Sequence, residues 1–152
     1  MAAALLCLSG SRLAYDITGR NERAAWNAAI ALMIAPAYFA TAQLLTTDIF
    51  YATGWMIATW LAYHVAIAGQ WSRTKVLLGA TALGASIGLS FLFKYTAIFF
   101  VPGLALAAFW TRRARPRWRH PLQASAAALI AFLIVASPVL IWNWQHGWPT
   151  IC

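Results

Sequence analysis

Five apolar runs, each near the length that crosses a bilayer, limit what this chain can fold into. A spanning helix needs about 20 consecutive, mostly apolar residues. The runs are Ala24–Leu45, Ile49–Gly69, Val76–Phe93, Tyr95–Trp110 and Leu122–Trp142. A shorter apolar stretch, Met1 to about Leu8, precedes them and reads as the end of another membrane helix. The fourth run is short, so the bilayer thins around it or its helix begins earlier. Pro36, Pro102 and Pro138 lie inside runs. Membrane helices tolerate proline where side chains or neighbouring helices satisfy the freed carbonyl.

Composition excludes the soluble alternative. The chain is 62% hydrophobic and 9% charged, with a mean hydropathy of +0.68, against about 25% charged residues in a soluble domain. Nine tryptophans suit the membrane interface, where an indole is apolar at one end and wet at the other. The expected fold class is all-α, a polytopic transmembrane bundle of about five spans plus an N-terminal partial helix. It forms a single domain over residues 1–152. The chain reads as a fragment of a larger membrane domain.

The net charge of +8 does not point to nucleic acid, because the basic residues sit in short gaps between apolar runs. Arg12, Arg20 and Arg23 precede the first full run, and Arg73 and Lys75 follow the second. Arg112, Arg113, Arg115, Arg117 and Arg119 follow the fourth. These gaps alternate, so they share one side of the membrane and hold ten of the eleven Lys and Arg residues. Positive residues concentrate in cytoplasmic loops. The expectation is a multi-pass protein of the inner (plasma) membrane with its Arg-rich loops in the cytoplasm.

Lys94 breaks that pattern. It lies with the opposite gaps, beside "TTD" (Thr46–Asp48) and "NWQHGWPT" (Asn143–Thr150). Asp48 is the one acid in these gaps, whereas Asp16 and Glu22 lie among the arginines. Lys94 and Asp48 either mark an interface, the lysine snorkelling to headgroups, or line a polar cavity near the outer leaflet. A lysine there suits phosphate as a point charge. An aspartate there suits a divalent metal, a substrate hydroxyl, or Lys94 itself. The third segment combines Trp142, Trp144 and Trp148 with Asn143, Gln145 and His146. An aromatic belt explains the tryptophans. The interleaved polar groups suit a sugar, which stacks on indole and hydrogen-bonds through its hydroxyls. His64, near the Arg-bearing end of its run, reads as a capping or snorkelling residue, and His120 belongs to the basic loop. Cys7 and Cys152 show no metal or disulfide pattern. No phosphate-loop, HExxH or GxSxG motif is present.

Three stretches resemble bacterial glycosyltransferase family 39, the group related to protein mannosyltransferases and aminoarabinose transferase. They are "IAPAYFATAQLLTTDIFYATGWMIATWLAY", "GASIGLSFLFKYTAIFFVPGLAL" and "SPVLIWNWQHGWPT", in the family's order, and the resemblance spans about residues 5–150. It implies an integral membrane glycosyltransferase of the GT-C type. Such an enzyme passes a sugar from a polyprenyl-phosphate donor to a lipid, polysaccharide or protein acceptor outside the membrane. By resemblance Lys94 meets the donor phosphate, with Tyr95 beside it, and Asp48 supports the acceptor or a divalent metal ion. Asn143, His146 and Trp148 line the sugar region. The family's first outer acidic loop lies upstream of this chain, so the chain by itself is expected to be inactive. Membrane lipid is an expected partner, and the sequence sets no oligomeric state. Two readings from other classes are a transporter fragment, with Lys94 as counter-charge to its substrate, and a non-catalytic structural subunit.

Overall fold

The computed structural model describes residues 2–36, 47–68, 71–114 and 121–148. Among them every regular element is helical. The helices are α1 (Ala2–Ile17), α2 (Glu22–Ile34), α3 (Thr47–Tyr63), α4 (Arg73–Phe93), α5 (Phe100–Ala114) and α6 (Pro121–Gln145). One π-helical turn, His64–Ala68, extends α3, and a 3-10 turn, Tyr95–Phe99, precedes α5.

Local chemistry sets the ends. After α1 the chain turns through Gly19 and Arg20, both with φ 71°, and the Arg20 N–H donates to the Tyr15 carbonyl at 2.8 Å. Asn21 then caps α2, its side chain accepting from the N–H groups of Arg23 (3.0 Å) and Ala24 (3.4 Å). Glu22 places a negative charge in the first turn, where the helix dipole favours it. α6 runs through Pro138 without a break. Proline there cannot donate to the Ile134 carbonyl, and the Ser137 hydroxyl donates to that oxygen instead, at 2.7 Å. Thr53, Thr59, Thr81 and Ser90 likewise donate to carbonyls four residues back, so these apolar helices carry hydroxyls without orphaning them.

The helix boundaries revise the sequence reading in two places and leave a third only partly described. α1 does not stop at Leu8 but continues through Gly10 to Ile17, and the chain first turns through positive φ at Gly19. The first full span is helical as α2 to Ile34, and residues 37–46, with the rest of that run, lie outside the described residues. The last run is helical to Gln145, so Asn143 belongs to α6 and not to a loop. Among the described residues, Arg73–Phe93 and Leu122–Gln145 are long and apolar enough to cross a membrane.

α4 is the centre of the packing. It runs antiparallel to α3, with Gly54 facing Ser90 and Gly79 facing Val65, and parallel to α6, with Gly84 facing Ala128 and Gly88 facing Val135. A Cβ on Gly84 would strike the Ala128 backbone carbonyl, so this glycine sets how closely the two helices approach. Ala58, Leu61, Leu83 and Ile87 form a buried cluster between α3 and α4. α1 lies parallel to α3: the Thr53 hydroxyl reaches the Ala2 carbonyl at 3.1 Å, and Tyr63 reaches the Asp16 carbonyl at 3.2 Å.

This arrangement sorts the polar residues by end. One end collects the C-termini of α1 and α3 and the N-termini of α2, α4 and α6, with Arg12, Arg20, Arg23, Arg73 and Lys75. The other end collects Asp48, Lys94 and the C-terminus of α6. Between α3 with its π-helical turn, α4, α5 and α6 an apolar cavity of about 340 Å³ is lined by residues including Ala62, Leu83, Ile87, Ile98, Leu104 and Phe132.

Candidate functional site

The site is built on a break between two helices. α4 ends at Phe93 because Lys94 is extended, with φ −148° and ψ 125°. Its N–H still donates to the Ser90 carbonyl and its carbonyl accepts from the Ala97 N–H, both at 3.0 Å. These two bonds fix the Lys94 backbone between α4 and the 3-10 turn, and the side chain leaves at the helix end.

Asp48 comes from the first turn of α3, and its Oδ1 forms an ion pair with Lys94 Nζ. The side chains are 44% and 45% exposed for Lys94 and Asp48. A pair this open to solvent contributes about 0–1 kcal/mol to stability. Tyr51, one turn on from Asp48, lies on the same face of α3. Its ring centroid is 5.9 Å from Lys94 Nζ, within the range of a cation–π contact. The Thr96 hydroxyl donates to the Tyr51 hydroxyl at 3.2 Å. Trp55 continues the face, 5.1 Å from Tyr51 and 4.9 Å from Phe100 between ring centroids. Phe50 stacks on Phe93 at 5.2 Å and seats the start of α3 against the end of α4.

The other expected site residues have different surroundings. Tyr95 opens the 3-10 turn and packs edge-on against Phe91 at 5.3 Å. Asn143 is 2% exposed, and its amide donates to the Val139 carbonyl at 3.0 Å. Its own carbonyl accepts from the N–H groups of His146 (3.2 Å) and Trp148 (2.9 Å). Asn143 therefore shapes the turn after α6 from inside. Gly147 and Trp148 take positive φ there, 70° and 60°. His146 stacks on Trp142 at 4.6 Å, and its Nδ1 lies 2.8 Å from the Trp142 carbonyl oxygen. Trp144 is the most exposed of the three tryptophans in this segment. The fold thus pairs Asp48 with Lys94 and brings the His146–Trp148 turn to the same end of the bundle.

At the opposite end a second carboxylate has a closed environment. Asp16 Oδ2 accepts from Trp60 Nε1 at 2.8 Å and lies 2.8 Å from His64 Nε2. An ionised carboxylate only accepts, so that imidazole nitrogen carries the proton. His64 stacks flat on Trp71 at 4.9 Å and begins the π-helical turn. It does not snorkel: its side chain is 13% exposed and that of Asp16 is 14% exposed. Burial pushes the Asp16 carboxyl up. Hydrogen bonds from Trp60 and His64, with the basic groups of His64 and Arg12, outweigh it and hold the carboxyl below its ordinary value.

Sequence reasoning missed Tyr51, Thr96 and the Asp16–His64 contact. The spacing Asp48, Tyr51, Trp55 is a readable helical stripe. No spacing signal links Asp16 to His64 across 48 residues. A divalent metal is not well served by the described residues, which contain no group of three or more His, Cys, Asp or Glu side chains placed to hold one. Asp48 is one carboxylate already facing an ammonium.

Residues 1–142 match the family described as dolichyl-phosphate-mannose-protein mannosyltransferase. A lipid A galacturonosyltransferase of Rhizobium johnstonii is 33% identical over 115 residues, covering 75% of this chain and 23% of the relative. The chain thus spans about a quarter of that relative's length. No solved structure matches.

Proposed function

The chain belongs to the dolichyl-phosphate-mannose-protein mannosyltransferase family, and on that premise we propose that it forms the donor-phosphate part of a GT-C type membrane glycosyltransferase. The donor is a sugar linked to polyprenyl phosphate, and the acceptor is a lipid, polysaccharide or protein hydroxyl. A lipid acceptor draws support from the name of the galacturonosyltransferase relative. The observation that carries the reading is Lys94. It is the one cation among the described residues at the end of the bundle away from the arginines, and it meets a carboxylate there.

A polyprenyl phosphate places its anion at the membrane surface and its tail in lipid. An ammonium at a helix break suits that anion. In the transfer, the acceptor oxygen attacks the anomeric carbon, and the bond from that carbon to the phosphate oxygen breaks. The phosphate leaves with the electron pair. Lys94 stabilises the charge that builds on it. The acceptor proton goes to a carboxylate base, a role for which Asp48 is the candidate in this chain. The turn carrying His146 and Trp148 borders the sugar, and Asn143 shapes that turn.

In this reading the chain crosses the inner membrane five times after the partial helix, with its Arg-bearing end in the cytoplasm. A cysteine introduced at Thr47 should then react with a membrane-impermeant maleimide added outside intact cells. Labelling only after the cytoplasmic face is opened would reverse the topology. Lys94→Met, in the chain extended to its relatives' length, should lower transfer at least about a hundredfold, the order expected for a lost charge-stabilising group. Membrane insertion should persist. Transfer at the unsubstituted level would remove Lys94 from the phosphate site.

A further inference from the structure

The ammonium of Lys94 already has an anion, the carboxylate of Asp48. If Lys94 receives the donor phosphate, both anions claim the same nitrogen. Three features show how that competition resolves.

Both side chains are about half-exposed, so solvent and other ions reach the ammonium and the outer side of the carboxylate even though Asp48 Oδ1 itself is covered, and a pair of this exposure is held by little free energy. Asp48 Oδ1 has no hydrogen-bond donor among the described residues beyond the ion pair, so nothing else tethers it at Lys94. Asp48 also sits in the first turn of α3. The positive end of the helix dipole continues to stabilise that carboxylate after it leaves the ammonium.

Lys94, by contrast, is held without Asp48. Its backbone is fixed by Ser90 and Ala97. The Tyr51 ring lies beside its ammonium, held by the Thr96 hydroxyl and packed against Trp55. One partner of the ion pair is anchored, and the other is exchangeable.

Resting on the phosphate reading above, we propose that Asp48 is the resident anion of the Lys94 site: the donor phosphate displaces it, and Tyr51 positions the ammonium during the exchange. The displaced carboxylate is thereby freed for the acceptor hydroxyl. Donor binding then precedes acceptor binding, because before exchange the Asp48 carboxylate is occupied by Lys94.

The experiment is calorimetric titration of the chain in phosphatidylcholine nanodiscs with farnesyl monophosphate, with farnesol as the uncharged control. Asp48→Asn should bind the phosphate up to about fivefold more tightly, the factor that an ion pair of this exposure is worth. Asp48→Ser should change in the same direction. Lys94→Met should reduce binding to the level of farnesol. Tyr51→Leu should weaken phosphate binding, whereas Tyr51→Phe, which keeps the ring, should restore it. Farnesol binding should be the same throughout. Unchanged or weaker phosphate binding in both Asp48 variants would overturn the exchange and leave the phosphate reading standing. Wild-type binding by Lys94→Met, or no phosphate binding above farnesol in any form of the chain, would overturn the phosphate reading and the exchange with it.

Discussion

The bundle carries a carboxylate at each end, and the two are built for opposite purposes. Asp16 is 14% exposed and is held by Trp60, His64 and, at 3.9 Å, Arg12. Asp48 is 45% exposed and faces Lys94. Several donors around a closed carboxylate make a tie between helices, here between α1 and α3. One cation beside a half-exposed carboxylate makes a contact with no second donor on the paired oxygen among the described residues. The same residue type ties helices together at one end and, in the exchange proposed above, is released from its partner at the other. What separates them is the number of donors and the access of water.

The largest stability effect should come from breaking the closed end. Asp16→Asn leaves the donors of Trp60 and His64 poorly matched in a buried setting, and should cost about 2–3 kcal/mol. Asp48→Asn, measured in the same detergent unfolding titration, should cost under about 1 kcal/mol. Equal losses would erase the distinction between the two ends.

A smaller effect sharpens the comparison through pH. The Asp16 carboxyl ionises below its ordinary value in the folded chain. Such a group contributes stability that is present above its unfolded pKa, about 3.9, and is lost as pH falls through the folded value. Unfolding followed from neutral pH down into the acid range should therefore show an added loss of stability below about pH 4. That added loss should be absent from Asp16→Asn. Acid sensitivity of equal size in both chains would assign it elsewhere.

Much of the fold is legible in the residue order. The apolar runs Ile49–Gly69, Val76–Phe93 and Leu122–Trp142 anticipate α3 with its π-helical turn, α4, and α6 to within a few residues. The gap cations and Lys94 are separable in the sequence, and the fold places Arg12, Arg20, Arg23, Arg73 and Lys75 at the end opposite Lys94. The misreadings have local causes. α1 continues past Leu8 because Ser9, Gly10 and Ser11 do not stop a helix, and both serine hydroxyls bond back to its carbonyls. Asn143 was placed in an exposed loop because Trp, Asn, Gln and His read as interface residues. Its side chain is instead turned inward and bonded to its own helix. His64 was assigned to the interface because its partner, Asp16, is remote in sequence.

By itself the sequence determined the helices, the separation of charge between their ends and the anomaly of Lys94. All three follow from runs of neighbouring residues, whose transfer free energies add along the chain. Only the tertiary structure decided that Lys94 meets Asp48 over the Tyr51 ring, and that Asp16 meets His64. Those contacts depend on which helices lie side by side and how each is rotated about its axis. Close approaches such as Gly54 on Ser90 and Gly84 on Ala128 fix that rotation, joining residues that no local pattern relates.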